Sequence, residues 1–162
     1  MASSHAVTQP HAAKISEANL SIVVVADASL RRRCRTILAA ERITSHGASL
    51  AGAHRVLRRY RPSVLVLDAA RSPRRALDAL PLLRRLSPDA GVLLLGRRPA
   101  SSTLLLEAAR RGAWGHLAER DLSRYLPKAV RMVADRQSWL PRRLSAAIVA
   151  ELIRRGQVEE RN

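Results

Sequence analysis

The chain has 162 residues, 47% of them hydrophobic and 2% aromatic, with one cysteine and a formal net charge of +16. That length suits one domain with a proper core, and the lone Cys34 excludes an internal disulfide framework and fits a reducing cytoplasm. No segment approaches the roughly 18 apolar residues needed to cross a bilayer, and the N-terminus lacks the cationic and apolar regions of a secretory signal. A cytoplasmic protein without membrane contact is therefore expected. The charge comes almost wholly from arginine, since only Lys14 and Lys128 are lysines. Arginine pairs such as Arg58-Arg59, Arg84-Arg85 and Arg110-Arg111 are scattered along the chain, whereas a nucleic-acid footprint would gather them on one face. Nonspecific, salt-sensitive attraction to polyanions is expected. With no phenylalanine and few other aromatics, platforms for stacking single strands are scarce.

In chain order, Met1 to about Asn19 is small, polar and aperiodic, and reads as a flexible leader. A first strand is expected at about Leu20–Val25, where an apolar run leads into Ala26 and Asp27. Ser29 is placed to cap a helix over about Leu30–Glu41, with Leu30, Cys34, Ile37 and Leu38 on one face. Cys34 is then a small core residue. A weak strand over Ile43–Ala48 and a helix over Leu50–Tyr60 follow, the helix stopping before Arg61-Pro62. The central run Val64-Leu65-Val66-Leu67-Asp68 is apolar without a break until its carboxylate, as suits a strand buried on both faces of a parallel sheet.

Beyond it, Ala69–Arg75 reads as a polar loop, and Leu77–Leu86 as a short helix limited or kinked by Pro81. Val92–Leu95 is a fourth buried strand, ending at Gly96. Ser101 or Ser102 starts a helix to about Arg111, closed by Gly112. A short strand at His116–Ala118 and a long helix over about Leu122–Gln137 come next. A last amphipathic helix over Arg142–Arg155 carries Leu144, Ala147, Ile148 and Leu152 on one face. Strand and helix alternate about five times, which predicts an α/β fold, a doubly wound five-stranded parallel sheet with an extra C-terminal helix. Asp27 and Asp68 then meet at the C-terminal edge of the sheet, where ligands and chemistry collect in such folds. The alternative for each is a capping role in the loop or helix that follows.

These residues resemble a CheY-like response-regulator receiver domain of the NarL/LuxR type over about Leu20 to Arg155. The resemblance rests on VVVADASL, on RPSVLVLDAA around Asp68, on VLLLG, and on RRGAWGHLAERDLSRYLPKAVRMVADRQSWLPRRL. It divides the chain into a leader (1–19), a receiver-like domain (20–138) and a linker helix and tail (139–162). It implies that Asp68 stands at the phosphoacceptor position and Asp27 at the second acidic position of the magnesium pair. Three other positions depart. Ala26 takes the first acidic position, Gly96 replaces the hydroxyl that senses phosphate, and Glu119 replaces the family lysine. His116 stands in for the switch aromatic. No helix-turn-helix follows within the 162 residues.

Phosphoryl transfer to a carboxylate needs charge neutralisation, by magnesium and by a lysine. Replacing that cation by an anion at about 4 Å is worth several kcal/mol even at an effective dielectric near 20. An acidic pocket of Asp27 and Glu119 around Asp68 leaves two routes open. A magnesium ion held by Asp27 and Asp68, with Glu119 as a stand-in ligand, is one. The other is that Arg71, Arg97 or Arg98 folds in and pairs with Asp68. No cofactor beyond such a magnesium is expected, and no catalytic residue.

The leading expectation is an atypical, non-enzymatic receiver in a two-component-type signalling or transcription-regulatory protein. It acts through a protein partner or a homodimer on the face spanning residues 100–136, and its phosphorylation switch is impaired. Trp114 and Trp139 lie near that face. A histidine kinase or a DNA-binding regulator is the kind of partner the resemblance implies. Two alternatives stand beside it: a phosphorylatable regulator with Asp68 as acceptor, and an arginine-rich nucleic-acid-associated regulator.

Overall fold

The computed structural model describes residues 20–142 together with Leu144, Ala146, Ala147 and Ala150. The expected leader and most of the expected helix over Arg142–Arg155 lie outside the described residues. The apolar runs form five parallel strands: β1 (Ile22–Val25), β2 (Ser45–Ala48), β3 (Val64–Asp68), β4 (Gly91–Gly96) and β5 (Ala113–Ala118). Their spatial order is β2-β1-β3-β4-β5. Five helices alternate with them: α1 (Ala28–Ala40), α2 (Ala53–Tyr60), α3 (Pro73–Leu86), α4 (Ser102–Arg110) and α5 (Leu122–Ala134).

Because strand side chains alternate between faces, each central strand feeds two cores. Ile22, Val24, Val64, Val66, Leu93 and Leu95 pack with Leu30, Cys34 and Leu38 of α1 and with the buried stripe of α5. Val23, Val25, Leu65, Leu67, Val92 and Leu94 pack with α2, α3 and Ala108 of α4. The result is the expected three-layer, doubly wound arrangement, with β3 in the middle between β1 and β4.

Several boundaries differ from expectation for identifiable reasons. Asp27, not Ser29, caps α1: its Oδ1 accepts from the Leu30 N–H at 2.9 Å, so the helix begins at Ala28. β2 begins at Ser45 rather than Ile43. α2 starts at Ala53 and ends with Arg61 in the left-handed region at φ 42°.

The largest difference is α3. The stretch Ser72–Arg75, expected as loop, is its first turn, with Ser72 Oγ accepting from the Arg75 N–H at 3.3 Å and Pro73 in the opening position that suits proline. Pro81 sits inside the helix without ending it. Proline has no N–H to give the carbonyl four residues back, and that carbonyl, Leu77 O, instead accepts from Arg111 Nη1 at 3.0 Å. The guanidinium also reaches Asp78 at 3.2 Å and Glu107 at 2.9 Å. A distant side chain thus replaces the missing backbone donor.

β5 is longer than expected and acquires a neighbour beyond it. Trp139 pairs with Gly115 as a parallel bridge. Its N–H donates to Trp114 O at 3.0 Å, and its carbonyl accepts from the His116 N–H at 3.0 Å. A Cβ on Gly115 would lie 2.8 Å from Trp139 Cβ, so the glycine permits this approach. The Trp139 ring meets Tyr125 of α5 at a centroid distance of 5.8 Å. Leu144 is buried, while Ala147 from the same expected apolar face is exposed. No described helix is long and apolar enough to cross a membrane.

Candidate functional site: an acidic crevice lined by arginines

The C-terminal ends of β1 and β3 bring Asp27 and Asp68 to one crevice, a cavity of about 210 Å³. Glu119 joins them from the 3-10 turn, Glu119–Asp121, that follows β5. The sequence reading of an acidic edge therefore describes the place. It also describes the local capping alternative, because one oxygen of each aspartate serves its own backbone. Asp27 Oδ1 caps α1, and Asp68 Oδ1 accepts from the Ala70 N–H at 2.8 Å. Ala26, just before Asp27, is buried in the core and offers the crevice no oxygen.

Arginines supply the opposite charge. Arg71 Nη2 lies 3.1 Å from Asp27 Oδ2. The Leu30 N–H, and then Arg71, hold the Asp27 carboxyl below its ordinary pKa against a smaller opposing push from burial. Arg33 Nη1 lies 3.3 Å from Glu119 Oε2. Arg97 also lines the crevice. Three carboxylates thus face three guanidiniums. Of the three arginines expected at this edge, Arg71 comes in but pairs with Asp27 rather than Asp68, Arg97 lines the cavity, and Arg98 is exposed outside its lining. Among the described residues Asp68 makes no ion pair. Nor do any three His, Cys, Asp or Glu side chains among them gather as metal ligands.

Arg33 was not among the sequence candidates. The signal was its position on α1, one turn beyond Leu30 on a helix whose N-terminus points at the crevice, but its partner lies 86 residues away. Cys34, its neighbour, is fully buried, and desolvation pushes its thiol up to about 12. That makes it a core residue and not a nucleophile.

The two switch positions are coupled. Gly96 ends β4 in a buried position, opposite Ala118 of β5. A Cβ built on Gly96 would collide with His116 Nε2 and lie 2.8 Å from its Cε1. The imidazole therefore fills the space that any side chain at position 96 would take. It is 8% exposed, and burial lowers its pKa below the ordinary histidine value, which keeps it neutral at neutral pH. Sequence reasoning noted both departures but not that each makes room for the other. Outward from the ring, a cavity of about 270 Å³ opens between α4, β5 and the Trp139 segment, lined by Pro99, Leu105, Tyr125 and Trp139 among others.

The strand order, the paired aspartates at the sheet edge and the 3-10 turn after β5 can now be set against solved structures. The isolated REC domain of RcsB from Salmonella enterica serovar Typhimurium matches with a TM-score of 0.68 at 16% identity, over 80% of this chain and 98% of that one. A LuxR family DNA-binding response regulator from Silicibacter pomeroyi matches with a TM-score of 0.64 at 23% identity, over 76% and 98%. A response regulator from Thermotoga maritima matches with a TM-score of 0.64 at 18% identity, over 72% and 98%. The chain has the receiver fold. No protein-family model matches it, and no curated protein does. Within the receiver fold, Asp68 stands at the end of the central strand, and the face of α4, β5 and α5 carries the Trp139 segment along its β5 side.

Proposed function

We propose that this chain is an atypical receiver, a protein-interaction module of a two-component-type signalling or transcription-regulatory system whose state is not set by the ordinary phosphorelay. The observation that carries this reading is the pairing of the crevice carboxylates with guanidiniums: Asp27 with Arg71 and Glu119 with Arg33. A phosphoacceptor crevice works because it is short of positive charge until magnesium and the incoming phosphoryl group arrive together. Here two of the three acids are already paired with arginines, and Arg97 lines the same cavity.

Magnesium does not fit this donor set. It asks for near-octahedral oxygen ligands, whereas Asp27 has one oxygen on the Leu30 N–H and the other on Arg71, and Ala26 contributes none. The sensing side is altered as well. Gly96 has no hydroxyl with which to bond a phosphate, and the buried His116 occupies the space that a residue bearing one would need. Phosphorylation at Asp68 would therefore lack a reporter.

The partner surface in this reading is the face of α4, β5 and α5 (residues 100–136), bordered by Trp139. The occupant is a protein partner or a second copy of the chain. One observation favours a second reading, a phosphorylatable regulator. Asp68 makes no ion pair among the described residues, and Arg71 and Arg97 would attract an anionic donor. Incubation with magnesium and a small-molecule phosphodonor, followed by intact mass, separates the two. The first reading expects no adduct in this chain, and an adduct on Asp68 after Ala26→Asp, Gly96→Thr and Glu119→Lys are introduced together with His116→Ala, which clears the space over position 96. An adduct on the unaltered chain that Asp68→Asn abolishes would establish the second.

A further inference from the structure

A second charged cavity, sharing no residue with the crevice, lies at the outer edge of the sheet between α1 and β2. Its volume is about 300 Å³, and its lining includes Arg31, Arg32, Arg35, Ser45, His46 and Gly47 but no carboxylate. Some arginines elsewhere are held by acids, as Arg33 is by Glu119 and Arg111 by Asp78 and Glu107, whereas no acid lines this cavity. Asp27, the carboxylate whose field reaches Arg31, is held mainly by the Leu30 N–H and by Arg71.

Arg31 is the most informative of the set. Its Nε is buried and has no acceptor. With Nε shut away, only the terminal guanidinium nitrogens remain to find a partner. Gly47 fixes where the arm lies: a Cβ there would come within 3.0 Å of Arg31 Cδ, so the bare backbone of the edge strand lets the arginine stem lie across it. His46 is set on the same strand by a stack against Tyr60, at a centroid distance of 3.5 Å and an interplanar angle of 10°. The Ser45 hydroxyl can donate or accept.

We propose that this cavity binds a small phosphate-bearing molecule, with its phosphate held by Arg31 and Arg35. Guanidinium forks match phosphate oxygens two at a time. The volume falls at the lower end for small-molecule sites, which suits a phosphate ester or diphosphate with a modest organic body. This assignment is independent of how the Asp68 crevice works.

The test is a titration of the full chain, followed by amide shifts, with inorganic pyrophosphate and with adenosine diphosphate, against inorganic sulfate at matched ionic strength. Saturable shifts centred on Ser45–Gly47 and on Ala28–Arg35 are expected with both phosphates, and binding weaker by about tenfold or more with sulfate, which lacks the second phosphate and the organic body. Tighter binding of the nucleotide would show that the organic body is also held, and equal binding that the phosphate alone is. The exposed Arg35→Gln should weaken pyrophosphate by about tenfold or more, the scale of one lost charge-assisted hydrogen bond. Arg58→Gln, the same charge loss on α2, should leave it unchanged. Gly47→Ala, which displaces the Arg31 stem, should weaken it as Arg35→Gln does. Shifts that spread over all arginines without saturating, equal weakening by Arg58→Gln, a sulfate response of the same size, or perturbation by duplex DNA alone would each overturn the assignment.

Discussion

Gly96→Ala tests the packing of the switch region most directly. The added methyl would collide with His116 Nε2 and crowd its Cε1 at 2.8 Å and the Arg98 carbonyl at 3.1 Å. Overpacking a filled site costs about 1–3 kcal/mol. The two nearest atoms in the way are the free end of one ring, which the cavity toward Trp139 can receive, so the lower half of that range applies. For a domain of this size each kcal/mol moves Tm by about 4 °C, and thermal unfolding should show a fall of about 4–8 °C. Because the ring leaves its buried niche, its pKa, followed by proton shifts across a pH titration, should rise toward the ordinary value of about 6.5. In the double variant with His116→Ala the collision is gone, so the two losses should not add, and a coupling of about 1 kcal/mol or more should remain. Losses that add to within about 0.5 kcal/mol, together with an unmoved histidine pKa, would refute the claim that one residue fills the other's space.

Three further outcomes follow from other contacts. Burial holds the folded-state pKa of His116 below its unfolded value, so the unfolded chain takes up the proton first as pH falls. Its contribution is full above about pH 6.5 and is lost progressively below it. Urea midpoints should therefore drop between about pH 7.5 and 5.5, and less steeply in His116→Phe. Arg111→Ala should destabilise by about 1–3 kcal/mol, because it leaves Leu77 O beneath Pro81 without its donor. Adding Pro81→Ala, which restores a backbone N–H, should recover part of that loss, and chemical denaturation of the four chains measures it. Cys34 should resist thiol reagents in the native chain and react at once in denaturant, since its thiol is buried with its pKa at about 12. Rapid native modification would contradict that.

Much of this architecture is written in local sequence. Val64–Asp68 and Ile22–Val25 are legible because a strand buried on both faces needs an unbroken apolar run, and nothing else in the chain provides one ending in aspartate. For the same reason the meeting of Asp27 and Asp68 at one edge could be foreseen. α3 was harder, because Pro73 and Pro81 both read locally as breakers. The first opens the helix, and the second is tolerated only through Arg111, thirty-four residues from the carbonyl it serves. The crevice shows the same divide. Its acids sit on strand ends and were visible, whereas their partners Arg33 and Arg71 are set by helix orientation and loop path. The fit of His116 over Gly96 depends on the register of β4 against β5, including the shift between Val92 and Leu93, which periodicity alone does not encode.

The short pairing of Trp139 with Gly115 has a consequence for how the molecule keeps to itself. A lateral strand with open amide and carbonyl groups invites a neighbouring chain to zip onto it. At one rim the molecule supplies its own stopper, cut to fit by a residue with no side chain. At the opposite rim the stem of Arg31 lies against the face of Gly47. One flank is thus covered from within by a segment that follows the last strand's own helix.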